Sequence, residues 1–562
     1  MLMCALPALA CGPGNSRTPP GPGDTQEGAP VGRQLVTAVR VEPPSVATRV
    51  IGQPGISLTV ARALFNAHVA RIDGTGTPRP QLVEALPTLH SDAWQVFSDG
   101  RMETTYRLKP HLTWHDGTGL SSEDFVFSWR VYMTPEYGHF TSAPFQAIDD
   151  VVALDPLTFV IRWNRPYPEA GSLSMSKNEL IPLPRHILEG PFAVLGADGF
   201  AGHPFWTREY VGLGPYQMER WEPGAFLEAT AFAGYVSGRP KINRVKMLFI
   251  NDSNTALANL LSGEIQVATD DSLGVHQVES LRREWGSLGV LYLAPGGSWR
   301  QTVFQLRPEL ASPGAILDVR VRRALAHGVD KQEINDTLYA GGNPLADSMI
   351  SPDSEFGAAV ERAIVKYPYD VRRSAQLMND AGFVKAADGA YGHTREGRLD
   401  FALNATAGSS FETEMSIMAS AWRSAGFPVR ESVIPAAQSR DAELASSFPT
   451  MSTRSTAMGQ PALLGLTTPN IPRAENRWRG SNRGGWTNPE YDRLAEAFTS
   501  TLEDEARARQ VAQMARIYSE ELPAISLYFP SMPFAHSDAL KGPRPVPAES
   551  NMMWNIEQWT FE

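Results

Sequence analysis

From residue 33 to residue 562 no second low-complexity linker interrupts the chain. That feature constrains it most. At ~150 residues per domain the body holds about three or four domains' worth of residues. Nothing in it is polar and flexible enough to let those domains hang apart as beads. They must interlock. Strand and helix signals are mixed throughout and no internal repeat is visible, so an α/β architecture is expected. Composition matters for what it excludes. With 42% hydrophobic and 20% charged residues, wholesale disorder is out. Fifty Lys plus Arg against 61 Asp plus Glu leave a net charge of −11. A chain this acidic makes a poor phosphate-backbone binder, so no nucleic-acid partner is expected. No apolar run reaches the roughly 18 residues of a membrane-spanning helix.

Both cysteines, Cys4 and Cys11, lie in the first eleven residues. The body therefore has no disulfide, no thiolate chemistry and no cysteine-held zinc. Residues 1–11 end in Ala8-Leu9-Ala10-Cys11, which resembles a bacterial lipobox with Cys11 as the lipid anchor. Ala8 stands where Leu is usual and no Lys or Arg precedes the apolar stretch. The true start is therefore expected upstream of Met1, or the leader is truncated. In residues 12–32, 11 of 21 are Gly or Pro, which predicts a solvated tether. Anchor, tether and large body together predict an extracytoplasmic protein that meets the membrane only through its lipid.

Met102, Thr104, Tyr106 and Leu108 alternate with polar positions, as do Leu157, Phe159, Ile161 and Trp163, so both runs read as strands. Asp155-Pro156 reads as a hairpin turn. Helices are predicted after Asn251-Asp252 (to Gly263), Asp318, Asp370 (to Gly382) and Asn488-Pro489-Glu490. A further helix carries Phe411, Met415, Met418 and Trp422 and ends at Gly426. These apolar stripes, Val371 with Ala375 and Met378 among them, are read as core-facing.

No enzyme signature is present: no Gly-x-Ser-x-Gly, no His-Glu-x-x-His, no Walker loop, no Gly-x-Gly-x-x-Gly. His111 and His115 are four apart, but Pro110, Gly117 and Gly119 make the segment a turn with satisfied imidazoles. No metal site, no cofactor and no catalytic residue is predicted.

Five stretches, in order, resemble one family. The first is Pro80 to Leu86, Asp99-Gly100-Arg101, Tyr106 to Pro110, Trp114 to Gly117 and Ser122 to Ser128. The second is Gly212 to Tyr216 with Trp221, Tyr235, Gly238-Arg239-Pro240 and Leu260 to Ile265. The third is Asp318 to Leu325 with Val329-Asp330-Lys331. The fourth is Tyr369-Asp370, Ala375 and Ala381-Gly382-Phe383. The fifth is Asn488 to Asp492 with Pro523-Ala524-Ile525. Together they resemble the family 5 extracellular solute-binding proteins of ABC importers, which carry oligopeptides, dipeptides or nickel.

The resemblance implies a two-lobed, periplasmic-binding-protein-like (type II) fold with an extra domain inserted in the first lobe. The expected division is 33–65 plus 208–297 plus 524–562 for lobe 1, 66–207 for the extra domain and 298–523 for lobe 2. It implies a monomer that closes on a small molecule or short peptide and meets an ABC permease and ATPase. A sugar, opine or metal chelate on the same scaffold is the alternative, and a surface hydrolase or chaperone-like protein the more distant one.

Cleft-lining segments are expected by the same resemblance. Glu42 and Pro44 lie in a strand that would run along the ligand, or in an ordinary strand end. Ser298 and Trp299 lie at the expected crossing between lobes, where Trp299 would cover a ligand or pack the hinge. Ala407 to Phe411 is a weaker candidate. Peptide-binding relatives resemble one another in a Trp followed three residues later by an Asp that pairs with the peptide amino terminus. Here Arg454 and Ala457 stand at those positions. A buried ammonium without a counter-charge costs several kcal/mol. Either Glu42 replaces the Asp or the solute lacks a free amine. Arg454 would suit a carboxylate or phosphate.

Overall fold

The alternating runs become the strands Met102–Arg107 and Thr158–Trp163, paired antiparallel. The turn at Asp155-Pro156 joins Ile148–Asp155 to the second of them. The computed structural model describes residues 34–49, 51, 59–139, 143–173, 180–269, 272–393, 397–439, 441–547 and 550–562. Cys4, the Cys11 anchor and the 12–32 tether lie outside the described residues.

Three sheets organise the body. A seven-stranded sheet runs in the order Gly289–Pro295, Ser531–Ser537, Val267–Ala268, Leu35–Val39, Arg244–Phe249, Phe226–Ala231, Tyr216–Glu222. Leu35–Val39 is parallel to both its neighbours. A five-stranded sheet runs Val429–Ile434, Phe401–Thr406, Met451–Ala457, Ser298–Phe304, Ala524–Tyr528. The four-stranded sheet containing Met102–Arg107 packs against the helix Ser122–Tyr132. That helix starts at a capping box in which the Ser121 N–H donates to Asp124 Oδ2 at 2.9 Å.

The chain passes between the first two sheets twice, which is the two-lobed α/β plan. One crossing is Gly296-Gly297, between Gly289–Pro295 and Ser298–Phe304. The other is Phe529-Pro530, between Ala524–Tyr528 and Ser531–Ser537. The crossings touch: the Gly296 N–H donates to the Pro530 carbonyl at 3.0 Å. A side chain at Gly296 would place Cβ 2.5 Å from that oxygen, so the approach requires glycine. The second crossing corrects the expected division, because Ala524–Tyr528 is hydrogen-bonded into the five-stranded sheet rather than into lobe 1.

The second lobe is packed on both faces of its sheet. Phe401, Leu403, Met415, Met418 and Trp422 fill one core, and Trp299, Tyr491, Tyr518 and Leu494 fill the other. The predicted caps at Asp252, Asp318, Asp370 and Asn488 all accept a backbone N–H within the first helical turn. Two stripe residues differ from expectation. Val371 is 38% exposed, its helix burying Ser374 and Leu377 beside the expected Met378. Phe411 is 36% exposed because it stands over an arginine rather than in the core. His111 adopts φ 63°, a turn and not a helix. The ring of His115 accepts the Gly212 N–H at Nδ1 (3.1 Å) and donates from Nε2 to the Gly214 carbonyl (3.0 Å).

Candidate functional site

The strand Phe401–Thr406 is parallel to both Val429–Ile434 and Met451–Ala457, so the carboxyl ends of all three emerge on one side. Open α/β sheets bind ligands at that edge, where side chains and loops rise beyond the hydrogen-bonded ladder. Here the edge holds a cavity of about 270 Å³ lined by Thr406, Ile434, Gln438, Ser452 to Thr456, Ser481 and Arg483, among others. It contains two guanidiniums, Arg454 and Arg483, and no carboxylate among its described lining residues.

Arg454 lies on the strand Met451–Ala457, opposite Gln301. Its Nη2 donates to the Ala445 carbonyl at 2.8 Å and to Ser452 Oγ at 3.0 Å. Its Nε is buried and has no partner among the described residues. Burial first, then the neighbouring charges of Arg483 and Arg300, push its pKa down to about 9. Burial also pushes Arg483 below the usual arginine range. Neither guanidinium meets a carboxylate within ion-pair distance among the described residues.

Arg300, on the adjoining strand, is held differently. It forms a buried pair with Glu414, from Nε at 3.0 Å and Nη2 at 2.8 Å. Thr453 Oγ1 and the Tyr528 hydroxyl donate to the same carboxylate at 2.6 and 2.5 Å. The Phe411 ring covers the guanidinium with its centroid at 4.3 Å. Burial opposes the Arg300 charge, but Glu414 outweighs it and raises the pKa.

The sequence candidates are dispersed. The Glu42 carboxylate accepts the Trp221 Nε1–H at 2.7 Å and the Gly224 N–H at 2.9 Å, tying the first strand's exit to a hairpin. Pro44 is half-buried beside Ser45, whose hydroxyl donates to the Trp206 carbonyl. Ser298 and Ala457 are direct partners across their strands, just beyond the first crossing. Trp299 is fully buried in the second lobe, its ring edge-on to Tyr518, and presents no surface to the cleft. Ala407 donates to the Ile434 carbonyl at the sheet edge. Arg483 and Glu414 were not singled out from sequence. Glu414 carried a faint signal, an acid three residues after Phe411 on one helix face. Arg483 carried little, being one of three arginines, with Arg477 and Arg479, in the loop 477–488.

A second cavity, of about 200 Å³, lies between the strand Ala70–Ile72 and the C-terminal segment. Its Arg71 is already paired with Glu557 at 2.9 Å. Among the described residues no group of His, Cys, Asp or Glu could hold a metal ion, and no helix is long and apolar enough to cross a membrane.

The sequence profile of the bacterial extracellular solute-binding proteins, family 5, matches residues 78–468, and the chain belongs to that family. A Brucella abortus protein described as an ABC transporter peptide-binding protein is 26% identical over 303 residues, 54% of each chain. The chain thus matches only about half the length of that relative. The oligopeptide-binding protein AppA of Bacillus subtilis is 21% identical over 467 residues, 82% of this chain and 81% of AppA. Among solved structures, NikZ from Campylobacter jejuni with Ni(L-His) has a TM-score of 0.71 at 21% identity, covering 94% of this chain and 99% of NikZ. AppA of Bacillus subtilis with a nonapeptide has a TM-score of 0.68 at 19% identity, covering 94% of this chain and 99% of AppA. At these identities the structural likeness establishes the fold alone.

Proposed function

We propose that the chain is the solute receptor of an ABC importer. It captures a peptide or peptide-like solute between its lobes and hands it to a membrane permease driven by an ATPase. One observation carries this reading: two adjacent crossings, Gly296-Gly297 and Phe529-Pro530, join the sheets of the two lobes side by side, a connection suited to hinge closure on a guest. The names of the Brucella and Bacillus relatives favour a peptide. The protein would work outside the cytoplasm as a monomer, tethered through lipid on Cys11.

Within that class the geometry favours an anionic or amine-blocked solute. Ala457 offers no charge where relatives carry the amine-binding Asp, and both Glu42 oxygens already accept hydrogen bonds. Calorimetry against a library of free-amine and acetylated peptides tests the function. Binding near micromolar, about −8 kcal/mol, with the peptide recovered intact, is expected. Cleavage of the peptide, or no binding by any member, would contradict it.

A further inference from the structure

We propose that the cavity at the carboxyl edge of the second lobe is an anion subsite, in which Arg454 and Arg483 together grip a doubly negative oxyanion group of the solute. The inference rests on the receptor reading above and deepens it by naming the chemistry of the guest.

Three observations converge. The cavity holds two guanidiniums and a surround of neutral donors, Gln438, Ser455, Thr456 and Ser481, with no carboxylate among its described lining. Such a lining suits an oxyanion and repels a cation. Arg454 keeps a buried Nε–H without an acceptor among the described residues, and its planar, forked guanidinium lines the cavity with the geometry that suits carboxylate or phosphoryl oxygens. The sheet around it shows that the fold can neutralise an arginine when its role is structural. Arg300, one strand away, has Glu414, Thr453 and Tyr528 organised for that purpose. Among the described residues Arg454 has the Ala445 carbonyl, the Ser452 hydroxyl and the Phe448 ring, whose centroid is 5.7 Å away, but no carboxylate. Two neighbouring positive charges with no fixed counter-charge among the described residues form a site completed by what it binds. A phosphoryl group and a pair of carboxylates share the needed chemistry.

Protein freed of solute by unfolding and refolding would be titrated with inorganic phosphate, succinate and trialanine amide, read by calorimetry and by the unfolding midpoint. Wild type is expected to bind phosphate or succinate, whichever carries the matching geometry, and to ignore the amide. Arg454→Gln and, separately, Arg483→Gln are expected to weaken the bound anion at least tenfold. The probe-free midpoint of Arg454→Gln should be no lower than wild type, which shows that the variant folds. Arg483→Gln, on a partly exposed loop, supplies the same test should the first variant fail to fold. Anion affinity unchanged in both variants, or no binding of either anion by wild type, would overturn the subsite. If trialanine amide or another peptide then still binds and contracts the protein in small-angle scattering, receptor function stands while the anion subsite falls. If no solute of any kind binds, both fall.

Discussion

Arg300 and Arg454 stand on neighbouring strands of one sheet, and the protein treats them in opposite ways. Arg300 is 3% exposed at its side chain and locked to a fully buried carboxylate. Arg454 keeps an N–H with no acceptor among the described residues, beside a cavity and a second arginine. Burying a charge is tolerated when partners satisfy it and costly when they do not. The first arginine therefore belongs to the scaffold. The second carries a cost that is sensible only where a guest removes it.

The largest effect should come from turning the first case into the second. Glu414→Gln leaves Arg300 buried without its counter-charge, and a loss of about 3–5 kcal/mol is expected, measured by urea unfolding at neutral pH. A loss below about 1 kcal/mol would mean that the pair is not what holds this region. A smaller loss is expected on acidification, through a group satisfied only while neutral. Burial pushes His115 down from the usual 6.5 to about 4, outweighing the Gly214 carbonyl and Asp116, and its Nδ1 accepts the Gly212 N–H only while the ring is neutral. The unfolded chain takes up this proton first as pH falls. The stability His115 contributes is therefore present above pH 6.5 and lost between there and about 4. About 3 kcal/mol should disappear over that window, and His115→Asn should flatten the profile.

Reversing the second case should help the empty protein. Arg454→Met removes an ill-compensated charge and should stabilise the solute-free form by about 1 kcal/mol, seen as a rise in the urea midpoint. A destabilised, well-folded variant would show that Arg454 is satisfied after all. The smallest effect concerns one ion pair. Arg507 Nη2, on the helix Asp504–Glu521, reaches Glu169 Oε1, far away in sequence, at 3.2 Å. A single pair of this kind contributes little, so Glu169→Gln should lower the urea midpoint by the equivalent of about 1 kcal/mol, and an unchanged midpoint would show that the contact contributes nothing.

Much of the scaffold was legible because it is local. Caps at Asp318, Asp370 and Asn488 and the Asp155-Pro156 turn are short-range chemistry and stand where the residues place them. What failed was non-local. The run Ala524 to Tyr528 reads as a strand, but nothing in those residues says which sheet will accept it. Phe411 follows a helical apolar period yet serves as a lid on Arg300, a partner over a hundred positions away in sequence. The candidate site divides in the same way. Arg454 drew notice because it replaces an expected Trp. Arg483 and Gln438 reach the same cavity only through tertiary folding.

The central claim is that the guest supplies the negative charge that the second lobe lacks beside Arg454. The most direct measurement is mass spectrometry of whatever solute co-purifies with the native protein, released by denaturation and analysed in both ion modes. An acidic solute carrying a phosphoryl group or two carboxylates, and lost from Arg454→Gln, is the predicted result. A neutral or basic free-amine peptide, retained equally by wild type and by Arg454→Gln, would contradict the account.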